Sequence, residues 1–157
     1  MLLRGAYLLM HRRFNAIFEP LSLTADQFVL LSLLRETGPC TQRRLADLSF
    51  ADVNTVGAML RLLERRKLVR RIPHKQDGRA KSVSLTASGE RLRATCEAAS
   101  RPLLAALESS FQPGESTPAT LGRIIAAMRR DEMKAAARLV EAGNGGARDP
   151  GRFDLAG

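Results

Sequence analysis

Residues 41–69 read TQRRLADLSFADVNTVGAMLRLLERRKLV, and the fold turns on how that stretch divides. Thr41 suits the N-cap of a short helix over QRRLADL, because its hydroxyl can accept an N–H group that a first helical turn leaves unpaired. After Ser49, Phe50 and Ala51, Asp52 can cap a second helix reaching about Arg66. Along it Val56, Met59, Leu60 and Leu63 recur at three and four residues and form one apolar stripe. The opposite face carries Asn54, Ala58, Arg61 and Arg65, with Thr55 beside it and Gly57 at its edge. Two helices joined this tightly, the second apolar on one side and polar on the other, meet the requirements of a helix-turn-helix.

Working outward, LVRRIP and SVSLT are short β-prone runs on either side of HKQDGRAK, a polar loop with Asp77-Gly78. They predict a hairpin, and a hairpin after a helix-turn-helix makes a winged helix. Upstream, Leu3, Tyr7, Met10, Phe14 and Phe18 stripe a helix over 2–18 that Pro20 ends. Thr24 caps the next helix, in which Phe28, Leu31 and Leu34 lead to a stop at Gly38-Pro39. Downstream, Thr86 caps a long fifth helix striped by Leu92, Cys96, Ala99, Leu103 and Leu107, with Pro102 expected to kink or split it. A loop over 112–118 and a sixth helix to about residue 142 follow. The aperiodic end is expected to be a disordered tail.

The expected fold is thus mainly α, an α+β winged helix joined to a helical layer. Residues 1–37 and 90–142 would form the dimerisation layer, 38–89 the winged helix-turn-helix, and 143–157 the tail. The outer helices carry more apolar surface than a lone chain covers easily, which predicts a homodimer.

Charge follows the same division. Of 157 residues, 25 are Lys or Arg and 16 Asp or Glu, a formal charge of +9. Residues 38–89 hold 11 basic and 4 acidic groups, whereas 1–37 hold 4 and 3 and 90–157 hold 10 and 9. An excess so local points to a polyanion, nucleic acid first and anionic membrane second. No apolar run approaches the roughly 18 residues that span a membrane. In MLLRGAYLLMHRRF, Arg4 interrupts the apolar run and His11-Arg12-Arg13 closes it on the wrong side for a signal peptide, so a cytoplasmic protein is expected. Two cysteines and two histidines, widely spaced, make no zinc pattern, and neither a Gly-rich phosphate loop nor a nucleophile–base pair is present. Neither an enzyme nor any cofactor is expected.

With these pieces in order, the chain resembles the MarR family of transcriptional regulators. The resemblance runs to about residue 142 and rests on LTADQFVLLSLL, GPCTQRRLA, NTV with LLERRKLV, and above all DGRAKSVSLTASGE. In the last, Asp77-x-Arg79 and Leu85-Thr86-x-x-Gly89 follow the family pattern. The resemblance implies a homodimer on a pseudo-palindromic operator in double-stranded DNA. It further implies repression, with release by a small, often aromatic or phenolic, effector bound between the two layers. The chain departs from the pattern where relatives often carry Arg at Ala58 and Leu62, Gly at Lys67 and Leu at Ser49.

Asn54, Thr55, Ala58 and Arg61 would face the major groove, since Asn pairs with adenine, Arg with guanine, and a small apolar group meets a thymine methyl. Gly57, which costs a helix interior about 1 kcal/mol relative to Ala, either lets the backbone approach closely or is simply tolerated. Arg79, steadied by Asp77, would enter the minor groove from the wing tip. Thr41, Gln42 and Arg43 open a helix whose N-terminus favours a phosphate. Arg65, Arg70, Arg71, Lys75 and Lys81 would add phosphate contacts or long-range attraction. Tyr7, His11, Arg12 and Phe28 are the candidate effector residues. Cys96 reads as a buried small hydrophobe. Cys40, near Arg43 and Arg44, leaves open an oxidant-sensing regulator, and a nonspecific nucleic-acid-binding module is the other alternative.

Overall fold

Capping and stripe together decide where each helix lies. The computed structural model describes residues 1–73 and 81–108 and, singly, Met133 and Ala137. The expected wing tip, and the expected loop, sixth helix and tail beyond residue 108, lie outside these described residues. Described elements are, in order, α1 (Leu2–Phe18), α2 (Ala25–Thr37), β1 (Cys40–Thr41), α3 (Gln42–Ser49), α4 (Val53–Arg65), β2 (Val69–Pro73), β3 (Lys81–Leu85) and α5 (Ala87–Glu108).

The anticipated caps are in place. Thr24 Oγ1 accepts the Gln27 N–H while the Gln27 side chain accepts the Thr24 N–H, a complete capping box. Thr86 Oγ1 accepts the Gly89 N–H at 3.0 Å and starts α5. Pro20 falls in a 3-10 turn, Glu19–Leu21, between α1 and α2. The hairpin pairs β2 with β3, from Val69 opposite Leu85 to Pro73 opposite Lys81. β1 is a third strand beyond the expected hairpin: Cys40 and Thr41 pair antiparallel with Val83 and Ser82, giving the order β1-β3-β2. Two residues are too short for any alternation to register.

Phe18, Leu30, Leu31, Leu45, Val56, Leu60, Leu63, Val83 and Cys96 are buried in one cluster drawn from α1 to α5 and the sheet. α5 runs on through Pro102, which removes a single backbone hydrogen bond, so of the expected kink or split the split does not occur. One expectation for α5 needs correction. Ser100, not Ala99, faces the core after Cys96, and its hydroxyl is satisfied by the Glu97 carbonyl at 2.9 Å.

Three turns close in the same way, by a residue in the left-handed region followed by a bond from the next N–H to a carbonyl five residues back. Leu23 reaches Phe18, Ala51 reaches Ala46, and Leu68 reaches Leu63. Such positions favour glycine, yet they hold Ser22, Phe50 and Lys67. A left-handed L-residue costs about 1–2 kcal/mol, and glycine gives back about 0.5–1 kcal/mol through unfolded-state entropy. Lys67→Gly is therefore expected to stabilise the protein by about 0.5–1 kcal/mol, raising Tm by a few degrees in thermal melts. An unchanged or lower Tm would show that the Lys67 side chain compensates.

At the start of α5, Glu90 meets Arg93 at 3.1 Å and Arg35 of α2 at 3.3 Å. The hydrogen bond from Arg93 is the main force holding the Glu90 carboxyl below its ordinary value. Burial opposes it, and the charges of Arg93 and Arg35 reinforce it. A carboxylate depressed by folding stabilises above its unfolded pKa and loses that contribution as pH falls through the folded one. Glu90→Gln is thus expected to melt below wild type at neutral pH, with the gap narrowing as pH drops below 4.5. A gap independent of pH would contradict it.

Candidate nucleic-acid interface

α4 owes its orientation to both ends of its own sequence. Asp52 accepts the N–H groups of Asn54 at 2.8 Å and Thr55 at 3.1 Å, which fixes the first turn. Val56, Leu60 and Leu63 are buried, so geometry turns Asn54, Thr55, Ala58, Arg61, Leu62 and Arg65 outward. Among the described residues Arg43, Arg44, Arg61 and Arg65 are exposed and make no salt bridge with one another's neighbours. Their charge is directed to solvent rather than consumed inside the fold. Thr41 Oγ1 accepts the Arg44 N–H at 3.2 Å and so caps α3.

Two of the expected contacts are engaged inside the protein. Gly57 is buried and faces α3, with the Gln42 side chain against it. Gln42 Nε2 donates to the Val53 carbonyl at 2.9 Å and is therefore engaged within the protein. A position at the edge of a helical stripe can fall on either side, which periodicity alone does not decide. Arg71 is also drawn inward, pairing with Glu64 of α4 at 3.3 Å, whereas Arg70 and Lys81 are exposed on the sheet. Lys75, Asp77 and Arg79 lie outside the described residues.

Arg66 has a role that the sequence does not single out. Its guanidinium donates to the Ser22 carbonyl and, at 3.2 Å, to that of Leu21, tying the end of α4 to the turn between α1 and α2. Nothing in the run Glu64-Arg65-Arg66-Lys67 distinguishes it from its neighbours.

A family model for MarR matches residues 23–81, the span from the cap of α2 into the wing. The chain is 38% identical over 95 residues to the HTH-type transcriptional repressor NicR of Pseudomonas putida, and the match spans 58% of each protein's length. Its fold matches S. aureus MepR in complex with DNA at a TM-score of 0.72 and 26% identity, covering 81% of this chain and 94% of that one. It matches a cysteine-to-serine variant of E. coli MarR bound to operator DNA at 0.70 and 26%, covering 81% and 90%. Residues 23–81 thus resemble the MarR family, and the fold is the winged helix seen in these DNA-bound regulators.

An open groove of about 610 Å³ lies between the second half of α1 and the start of α2. His11, Asn15, Glu19, Ser22, Thr24 and Asp26 line it. Asn15 Oδ1 accepts the Ala25 N–H at 2.8 Å, so Asn15 presents its amide nitrogen to His11 Nδ1 at 3.1 Å. In the neutral ring Nδ1 is then the acceptor, and the Nε2 proton faces Asp26 at 3.2 Å. Of the four candidate effector residues only His11 lines this groove. Phe28 instead stacks on Phe18 in the core, ring centroids 4.9 Å apart, and Arg12 bonds back to the Leu8 carbonyl. Tyr7 is exposed, its ring 5.6 Å from that of His11.

Cys96 is buried, as the apolar stripe implies, and burial pushes its thiol above the ordinary range against a weaker opposing charge from Arg66. Cys40 is half-buried and receives the Thr37 hydroxyl at 3.7 Å. Iodoacetamide at neutral pH is expected to label Cys40 first and Cys96 only as the fold opens, read by mass spectrometry over time. Faster labelling of Cys96 would contradict that burial. Among the described residues no cluster of His, Cys, Asp and Glu could hold a metal ion, and no single helix is long and apolar enough to cross a membrane.

Proposed function

We propose that this regulator works as a homodimeric repressor in the cytoplasm, binding a pseudo-palindromic operator and leaving it when a small effector binds. The observation that carries DNA reading is the outward row of Asn54, Thr55, Ala58, Arg61 and Arg65, backed by the buried Val56, Leu60 and Leu63. Polar and cationic groups on a helix held rigidly from behind are what base edges and phosphates require. Thr41, Arg43 and Arg44 add phosphate-binding potential at the start of α3; by the sequence pattern, Arg79 steadied by Asp77 is assigned to the minor groove, and Lys75 and Lys81 to phosphate contacts or long-range attraction.

Dimerisation is supported by apolar side chains on α1 that are exposed among the described residues: Leu3 is 67%, Tyr7 55% and Leu9 58% exposed. α1, α2 and α5 would then set the spacing of two recognition helices. Half-sites should lie about one helical turn apart, since a two-fold places them in successive major grooves. The groove at His11 is the favoured effector site, because Ser22 both lines it and accepts a bond from Arg66. A ligand that prefers another position of this turn weakens DNA binding by its differential affinity, and DNA weakens the ligand equally. Cys40 supports a second reading, an oxidant-sensitive regulator of the same fold, because it is the more accessible of the two thiols.

Selection of duplexes from a random pool by the purified protein tests the reading. It should enrich an inverted repeat bound by two chains in sedimentation, and Arg79→Ala should weaken that complex. Enrichment of no motif would leave a nonspecific nucleic-acid-binding module as the better reading.

A further inference from the structure

We propose that Gln42 is a positioning residue of the DNA-reading face, one that touches no DNA but sets how the first turn of α4 is presented, and that Gly57 is the seat it needs. The proposal rests on the DNA-binding reading above and deepens it.

Gln42 is the first residue of α3, and its Nε2 donates to the carbonyl of Val53, the first residue of α4, at 2.9 Å. One turn further along α4 lies Gly57, where a Cβ would sit 2.6 Å from Gln42 Nε2, 3.2 Å from its Cδ and 3.4 Å from its Oε1. The carboxamide is thus bonded to one turn of α4 and seated against the next. Glycine is among the poorest helix formers, so α4 carries a local weakness at the one place where this side chain must lie. Val56 and Leu60 hold α4 from behind, and the Gln42 bond is a direct tie from α3 to the first turn of α4. Asn54 and Thr55, two of the outward reading residues, are on that turn. Base contacts require their donors and acceptors within tenths of an ångström, whereas phosphate contacts by long cationic side chains tolerate displacement. Losing the lock should therefore degrade sequence discrimination more than overall affinity.

Local energetics give the proposal a distinguishing signature. Gly57→Ala improves helix propensity but displaces only the far end of a flexible side chain, so the fold is expected to persist with little change in Tm. Gln42→Ala empties the seat and leaves the Val53 carbonyl in its ordinary helical bond. Each variant should lower the preference for the selected duplex over a scrambled one by about tenfold, the scale of one good base contact. Because both act through one contact, the double variant should be no worse than either single one.

The test is anisotropy titration of the full chain, wild type and the three variants, against a duplex selected by the wild type and its scrambled counterpart, with thermal melts alongside. Loss of preference with unchanged Tm, and no further loss in the double variant, is the expected result. Equal weakening on both duplexes by Gln42→Ala would make Gln42 a phosphate contact and overturn the proposal, as would additive effects or an unchanged preference. Failure of the wild type itself to prefer any duplex would remove the DNA reading first, and is seen before any variant is made.

Discussion

Gly89→Ala is expected to destabilise the protein by roughly 3 kcal/mol or more, at the upper end of what overpacking costs. A Cβ at Gly89 would lie 2.1 Å from the Leu68 carbonyl oxygen and 2.8 Å from Leu85 Cδ1, so the first turn of α5 passes directly over the entry to the hairpin. The obstruction is backbone, and it is held in place. Thr86 donates its hydroxyl to the Lys67 and Leu68 carbonyls at 2.8 and 3.0 Å, and its N–H to Leu68 at 3.1 Å. Moving the carbonyl away would break these bonds along with the cap of α5. Thermal melts should show a Tm lower by about 10 °C or more, with Ser88→Ala near wild type as the neighbouring control. A Gly89→Ala protein melting within two or three degrees of wild type would mean that α5 is not packed on the hairpin in this way.

The second large effect falls on binding and spares the fold. Arg61→Glu is expected to weaken binding to a selected duplex by about 100-fold or more at moderate salt. Loss of a good base contact accounts for about 1–3 kcal/mol, and a carboxylate facing phosphates adds repulsion. Arg61 is exposed on the outward face of α4 and lacks a salt bridge among the described residues, so folding should lose little. A Glu at this position even stands four residues before Arg65, a favourable order on a helix. Arg101→Glu, the same charge change on exposed α5, provides the control for net charge alone. Equal losses from the two variants would show that general attraction, not this face, carries the binding.

How much of this was legible beforehand can be followed residue by residue. Thr24, Thr41, Asp52 and Thr86 announce four helix starts because capping is local chemistry, settled within three or four residues of chain. The stripe of α4 declares which face is buried because Val56, Leu60 and Leu63 depend only on helical period. What escaped is tertiary. Gly57 and Gln42 are eleven to fifteen residues apart from their partners across a turn, and only the packing of α3 on α4 joins them. Arg66 reaches back more than forty residues to Ser22, and no spacing rule separates it from Arg65. Phe28, expected at an effector site, packs instead on Phe18 ten residues earlier in another helix, a contact that no spacing rule foretells. The family resemblance supplied the wing pattern around Asp77 and Arg79, which physical periodicity alone leaves as a polar turn.

The central claim is that two copies of the α4 face read a particular DNA sequence. Anisotropy titration of a selected duplex and its scrambled counterpart, with stoichiometry and salt dependence measured together, tests it most directly. The account predicts two chains per duplex, affinities that fall steeply with salt for both DNAs, and a preference for the selected duplex of roughly a thousandfold or more that survives throughout. Equal affinity for the two duplexes at every salt, or saturation by a single chain, would contradict it.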